Sequence, residues 1–251
     1  MSRAFPFASH TVVLAGITAA MHIAKLPPAV PVLQQALDLD LVQAGFLLSL
    51  VQLAGMSLGL AVGLSVDRLG LRRSMLLGLV LLSTASALGG LATEVHQLLV
   101  LRALEGLGFL CVVMPAPALI RRTVDAQHLS ARLGQWGSYM PTGSALALLL
   151  GPWLLASFDW HVWWWLLAAC TLASAVAVWH WVPALPALTH AANDGWGQRL
   201  RLTLRHAGPN LVSLSFAVYS AQWLAVIGFL PTVYAQMGLS GQMAGGLTAL
   251  V

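Results

Sequence analysis

Charge is the scarcest thing in this sequence. Twelve Lys and Arg and eight Asp and Glu make up 8% of the 251 residues, while 59% are hydrophobic. Mean hydropathy is +0.82. Soluble domains carry about 25% charged residues. So few charges cannot cover a water-facing surface, and lipid must be the solvent for most of the chain. Cysteine is nearly absent too. Cys111 and Cys170 both stand in apolar runs, which excludes a disulfide framework and a cysteine metal site. No basic stripe with interleaved aromatics appears, so nucleic acid is not the expected partner. Nor is there a His/Cys/carboxylate set at metal spacing, a GxxxxGK[ST] phosphate loop or a GxSxG nucleophile turn. The sequence gives no reason to expect an enzyme, a metal or a cofactor.

What is abundant is long apolar runs. At about 20 residues per bilayer crossing, seven segments qualify: about 11–33, 43–66, 74–93, 98–120, 133–155, 161–182 and 210–234. An eighth begins near Gly241, and the sequence stops inside it. Backbone groups in lipid must bond within their own segment, so these are helices. The N-terminal MSRAFPFASHTVVLAGITAA has the look of a signal peptide. Its apolar run continues past Lys25 to Leu33, however, and it is read as a retained first helix.

The connections alternate in charge. Arg3 precedes helix 1. Asp38 and Asp40 follow it, then Arg68, Arg72 and Arg73, then Glu94 and His96. Next come Arg121, Arg122 and Arg132, then Asp159, then Arg199, Arg201 and Arg205. Every other connection is basic, which predicts a cytoplasmic N-terminus in a bacterial inner membrane. Trp153, Trp160, Trp163 and Trp181 lie near predicted helix ends, as interfacial belts require. The sixth connection is the longest and holds Pro183, Pro186, Asn193, Asp194, Gly195 and Gly197. The chain therefore divides into a six-helix bundle (1–182), a cytoplasmic linker (183–208) and the start of a second bundle (209–251).

The second connection, GLSVDRLGLRRSM, concentrates its charge in a distinctive order. Gly63-x-x-x-Asp67-Arg68-x-Gly70-x-Arg72-Arg73 resembles the loop 2–3 signature of the major facilitator superfamily. In helix 4, Arg102-x-x-Glu105-Gly106-x-Gly108 is similar to that family's Arg-and-glycine pattern. Helix 5 matches only part of the glycine signature associated with antiporters. It has Gly143 and Gly151-Pro152, but Ala147 and Trp153-Leu154-Leu155 depart from it, so exchange is not inferred. Lys25 followed by Pro27 and Pro28 resembles the cyanate-transporter-like branch. The resemblance implies an all-α integral membrane transporter. Two bundles would rock about a midplane site lined by helices 1, 4 and 7. It also implies a cytoplasmic latch made of Gly63, Asp67, Arg68, Gly70, Arg72 and Arg73. Gly63 would admit a neighbouring helix, and Asp67 would accept from a basic residue or cap a helix N-terminus. Arg121, at matching depth, is the candidate partner of Asp67.

Inside the spans, charge is costly and calls for a role. At about 1.5 Å rise per residue, Lys25 lies roughly 12 Å and Glu105 roughly 10 Å from the outer ends of helices 1 and 4. Arg102 is one turn shallower, and Gln222 falls near the middle of helix 7. The functional reading makes Lys25 the anion-binding cation, assisted by Arg102, Gln222 and the Tyr139 hydroxyl. Glu105 is then the proton site, with His22 one turn before Lys25 as a relay. Each residue also has a plainer reading. Lys25 would snorkel outward, and Arg102 and Glu105 would neutralise each other at i,i+3. Gln222 would bond between helices, His22 would be a packed polar residue, and Tyr139 and Thr142 would cap the break at Pro141. Pro115 and Pro117 should bend helix 4.

The expected function is movement of a small solute, a small anion by proton symport, through alternating access. The expected partners are the lipid bilayer, a small-molecule substrate, and the missing C-terminal helices or a partner chain to complete the cavity. The competing reading is a truncated or partner-dependent membrane protein without autonomous transport, favoured by an end inside the apolar run GGLTALV.

Overall fold

The structure is a computed structural model. It describes residues 7–185, 201 and 204–250, without the side chains of 54–56, 60–61, 64–65 and 67–68. Arg3, Arg199 and most of the linker, including Pro186, Asn193, Asp194, Gly195 and Gly197, lie outside the described residues, as do the side chains of Asp67 and Arg68.

Helices account for every element among the described residues. They are α1 (Ala8–Ala24), α2 (Leu26–Leu37), α3 (Leu41–Leu69), α4 (Leu71–Gly89), α5 (Val95–Val113), α6 (Ala116–Thr123), α7 (Ala126–Gly137), α8 (Tyr139–Ser157), α9 (Trp160–Trp181), α10 (Ala207–Gln236) and α11 (Gly241–Ala249). Joined across their breaks, they form seven helical spans long and apolar enough to cross a membrane. α1 and α2 form the first span, Ala8–Leu37, α5 and α6 the fourth, Val95–Thr123, and α7 and α8 the fifth, Ala126–Ser157.

The breaks follow from proline and glycine. Pro115 and Pro117 interrupt the fourth span between Val113 and Ala116, because proline cannot donate into the helix. Pro27 and Pro28 open the first span at Lys25. The basic signature after the second span is hardly a loop at all. α3 runs to Leu69 and α4 starts at Leu71, so Gly70 alone makes the turn, at φ 87°. That left-handed backbone is the reason for a glycine there. Asp40 starts α3 with a capping box: Gln43 N donates to its carboxylate at 2.6 Å, and Asp40 N donates back to Gln43 Oε1 at 3.1 Å.

The bundle holds two apolar clusters, one toward each end. Val12, Ala19, Met75, Leu79, Val112, Leu119 and Val178 belong to the first, at the end carrying the basic connections. Leu26, Leu33, Leu47, Leu98, Trp163, Trp164 and Leu167 belong to the second. The first, third, fourth and sixth spans each pass from one cluster to the other through a buried polar residue. Those residues are His22 and Lys25, Ser86, Arg102 and Glu105, and Thr171. α4 and α5 pack closest. A Cβ on Gly78 would stand 2.7 Å from Gly108 O, and one on Gly108 would stand 2.9 Å from Gly78 O. Two facing glycines bring the backbones into contact, the usual device where lipid supplies no hydrophobic drive between helices. At Gly63, among the described side chains, a Cβ would meet only the Met114 methyl, at 3.7 Å.

The belt reading of the tryptophans needs correction. Trp153 and Trp181 are exposed, but Trp160 and Trp163 are buried in the outer apolar cluster. The Trp163 indole N–H donates to Lys25 O at 3.2 Å. It faces a carbonyl at the first-span break, and a lipid-facing ring would leave that interaction unmade. α10 stands mostly apart. Its first half is exposed, and burial begins only at Ile227, Gly228, Pro231 and Thr232.

Candidate functional site

The polar layer between the two apolar clusters is one connected network. Lys25 is the only lysine in the sequence, and it is fully buried, as is His22; Arg102 is 3% and Glu105 2% exposed. The Lys25 ammonium donates to Glu105 Oε1 and to Ser86 Oγ, the latter at 3.1 Å. It also sits 4.7 Å from the Trp164 ring centroid. An ammonium has three N–H donors, and here two acceptors and an aromatic face receive them. Ser86 can accept because its own hydrogen goes to Trp164 O at 3.0 Å.

Arg102 holds the other side of the carboxylate. Its Nη1 donates to Glu105 Oε2 at 2.8 Å and to His22 O at 2.5 Å. Nη2 donates to Ile23 O at 3.1 Å, and Nε to Leu47 O at 3.2 Å. The local sequence explains this. Pro27 has no N–H to return to Ile23 O four residues back, and the guanidinium supplies the missing donor. One side chain thus ties the first, second and fourth spans together. His22 completes the layer. Its Nε2 lies 2.7 Å from Thr171 Oγ1, whose hydroxyl donates to Leu167 O at 2.8 Å. Its Nδ1 faces Glu105 Oε1 at 3.8 Å. A cavity of about 10 Å³ adjoins Arg102 and Glu105, walled by Leu26, Leu47, Leu98, Leu101 and Trp164. It has the room of about one water.

The structure therefore brings together Lys25, Arg102, Glu105 and His22. It does not bring Gln222 or Tyr139 to them. Gln222 is exposed on α10, and Tyr139 stacks on Trp136 with ring centroids 4.3 Å apart. Thr142 is exposed. Snorkelling of Lys25 is overturned, because its ammonium is buried and bonded inward. The i,i+3 pairing of Arg102 with Glu105 is present, and Lys25 shares the same carboxylate. Sequence reasoning missed Ser86, Trp164 and Thr171. Their only signal is a hydroxyl or an indole within an apolar run, which many membrane helices carry.

At the basic end, Gly70 makes the turn. Arg72 donates to Trp179 O and lies 5.0 Å from the Trp179 ring centroid, joining α4 to α9. Arg73 and Arg121 are exposed and Gly63 is half-buried. Among the described residues no group of His, Cys, Asp and Glu could hold a metal ion.

Comparison with known proteins agrees with this architecture. The cyanate transport protein CynX of Escherichia coli K12 is 25% identical over 95% of this chain and 61% of its own length. The methyl viologen resistance protein SmvA of Salmonella typhimurium LT2 is 28% identical over 59% of this chain and 30% of its own. The chain thus spans less than two thirds of either relative. Among solved structures, a bacterial homologue of the human lysosomal transporter Spinster, inward-facing and unoccupied, superposes with a TM-score of 0.75. It is 17% identical, over 98% of this chain and 59% of that one. A D-xylose–proton symporter superposes with a TM-score of 0.70 at 17% identity, over 98% of this chain and 66% of that one. Those two likenesses concern the fold. The profile of the Major Facilitator Superfamily matches residues 12–251, and this multi-pass α-helical membrane protein belongs to that superfamily.

Proposed function

We propose that this chain is the first bundle and part of the second of a secondary transporter that carries a small monovalent anion together with a proton across a bacterial inner membrane. The N-terminus is cytoplasmic, as the alternation of basic connections requires. The observation that carries the reading is charge count. Lys25 and Arg102 bring two cations to the buried layer, and among the described residues Glu105 is its only carboxylate. A surplus cation buried away from water is costly, and a visiting anion would balance it. That CynX is a cyanate transport protein supports the same solute class.

In the mechanism, Glu105 holds Lys25 and Arg102 while no anion is present. Protonation of Glu105 cancels its charge and loosens both contacts, so the cations become free to face an anion. Deprotonation restores the pairs and displaces the anion. Coupling then needs no covalent chemistry, only competition between a carboxylate and a solute for the same cations. Rocking of the two bundles presents the site to each side in turn. Gln222 and Tyr139 are proposed to approach the solute only in another conformation. Gly63, Asp67, Arg68, Gly70, Arg72, Arg73 and Arg121 are proposed to latch the cytoplasmic side. The mostly exposed α10 favours completion of the cavity by further helices.

The test is uptake of labelled cyanate by the full protein in proteoliposomes under an imposed pH gradient. Wild type should accumulate cyanate. Lys25→Met should abolish uptake, and Glu105→Gln should uncouple it from the gradient. Gradient-driven uptake that survives Glu105→Gln removes Glu105 as the proton carrier. Wild-type uptake no greater than that of empty vesicles, for cyanate and other small monovalent anions, sinks the anion reading.

A further inference from the structure

The imidazole of His22 is held in an arrangement that its own span does not dictate. The Thr171 hydroxyl has one hydrogen, and Leu167 O receives it at 2.8 Å. Only lone pairs then remain on Oγ1, so the hydrogen in the 2.7 Å contact with His22 Nε2 belongs to the nitrogen. A neutral ring protonated at Nε2 has a bare Nδ1. That atom is buried, has no hydrogen-bond partner among the described residues and lies 3.8 Å from Glu105 Oε1. Two lone-pair atoms face each other 3.8 Å apart, beyond hydrogen-bond distance, so ring and carboxylate must draw together for a proton to pass between them. The charged groups around the ring are Lys25 on its own span and Arg102 and Glu105 from α5. α4 and α9 bring only hydroxyls, Ser86 and Thr171, and α8 carries no charged side chain.

We propose that Thr171 is a positioning residue that fixes His22 in the Nε2–H form, so that bare Nδ1 is the acceptor through which a proton reaches Glu105. The proton comes from a hydronium ion on the open side, whose O–H bond breaks to leave water. An N–H bond forms at Nδ1 and gives an imidazolium. That hydrogen then passes to Glu105 Oε1, the Nδ1–H bond breaks and an O–H bond forms. His22 returns to its starting form, and one proton has moved from solvent to the carboxylate. Lys25 loses its charged partner at that step. The transport meaning of this relay rests on the proton-coupled reading of Glu105, whereas the ring form does not.

The first readout is the nitrogen NMR spectrum of histidine-labelled full protein in lipid bilayers at neutral pH, with the His22 signals assigned by their loss in His22→Gln. The expected result is a protonated Nε2 and a bare Nδ1. Thr171→Val should shift the ring toward the Nδ1–H form. It should also move the pH midpoint of uptake by about one unit, the scale of one lost hydrogen bond. Thr171→Ser keeps the hydroxyl and should restore both. A wild-type ring protonated at Nδ1 overturns the proposal, because the hydrogen would already point at Glu105. So does a Thr171→Val protein whose ring form and pH profile both match wild type. Failure of uptake of cyanate and the other small monovalent anions, with the expected ring form, would sink the anion reading and leave the positioning role of Thr171 standing.

Discussion

Arg102 and Arg72 both end on backbone carbonyls, in opposite settings. Arg102 is 3% exposed and serves His22 O, Ile23 O, Leu47 O and Glu105. Arg72 is half-buried at the basic end and serves Trp179 O while its guanidinium lies against the Trp179 ring. The first replaces a donor that proline removed and tethers a carboxylate in a buried layer. The second fastens one helix end to another where water and headgroups can compete. The same side chain should therefore be indispensable at one position and replaceable at the other.

The largest expected effect follows from Arg102. Arg102→Leu leaves Ile23 O without its donor and Glu105 with Lys25 alone. Breaking a buried pair from one side costs about 3–5 kcal/mol, and the melting temperature of the purified protein in detergent should fall accordingly. Arg102→Lys should recover little, since an ammonium cannot reach carbonyls on two spans and a carboxylate at once. A lysine variant as stable as wild type would show that charge matters there and the fork does not. Arg72→Gln is the matching change at the edge. It should cost about 1 kcal/mol, the scale of one hydrogen bond and an edge cation–π contact.

Next in size is the seam between α4 and α5. Gly78→Leu drives a side chain into Gly108 O and Cys111, where even a Cβ would stand at 2.7 Å. Overpacking of this kind costs about 1–3 kcal/mol, read by the same melt. The companion change is Gly70→Ala, which forces an alanine to φ 87°, ψ 149°, a region essentially reserved for glycine, at a cost of roughly 1–3 kcal/mol. If Gly78→Leu is the milder of the two, the seam is more yielding than its backbone contacts imply.

How far the sequence could be read depended on what kind of quantity was asked for. Spans follow from length and hydropathy, and all seven lie where the apolar runs do. The ion network follows from depth: Lys25, Arg102 and Glu105 are charges inside apolar runs, and lipid leaves them few places to go. Rotation about a helix axis was not legible. Gln222 and Tyr139 sit at plausible depths, but the hydrophobic pattern of α10 and α8 is nearly uniform around the helix and fixes no face. Trp160 and Trp163 went wrong for the same reason, since a tryptophan near a helix end suits either a headgroup belt or a buried carbonyl partner. Ser86 and Thr171 escaped notice because a hydroxyl in a membrane helix can bond four residues back. Thr171 does so, to Leu167 O, whereas Ser86 donates across to Trp164 O on the sixth span, and either bond leaves the oxygen's lone pairs to accept.

The smallest expected effect sharpens the comparison most. Gly63 belongs to the basic-end signature as Gly78 belongs to the packed seam, and a glycine in either place would be read as a close approach. The geometry separates them, because among the described side chains a Cβ at Gly63 meets one flexible methyl at 3.7 Å, which is ordinary contact. Gly63→Ala should therefore leave the melting temperature unchanged or raise it slightly, since alanine is favoured over glycine in a helix interior by roughly 0.5–1 kcal/mol. The informative readout is uptake by the same protein. If the latch closes in a second conformation, helices approach at Gly63 only there, and uptake falls while stability does not. If uptake and stability are both unchanged, Gly63 carries no close contact in either state, and the proposed latch loses it as a member.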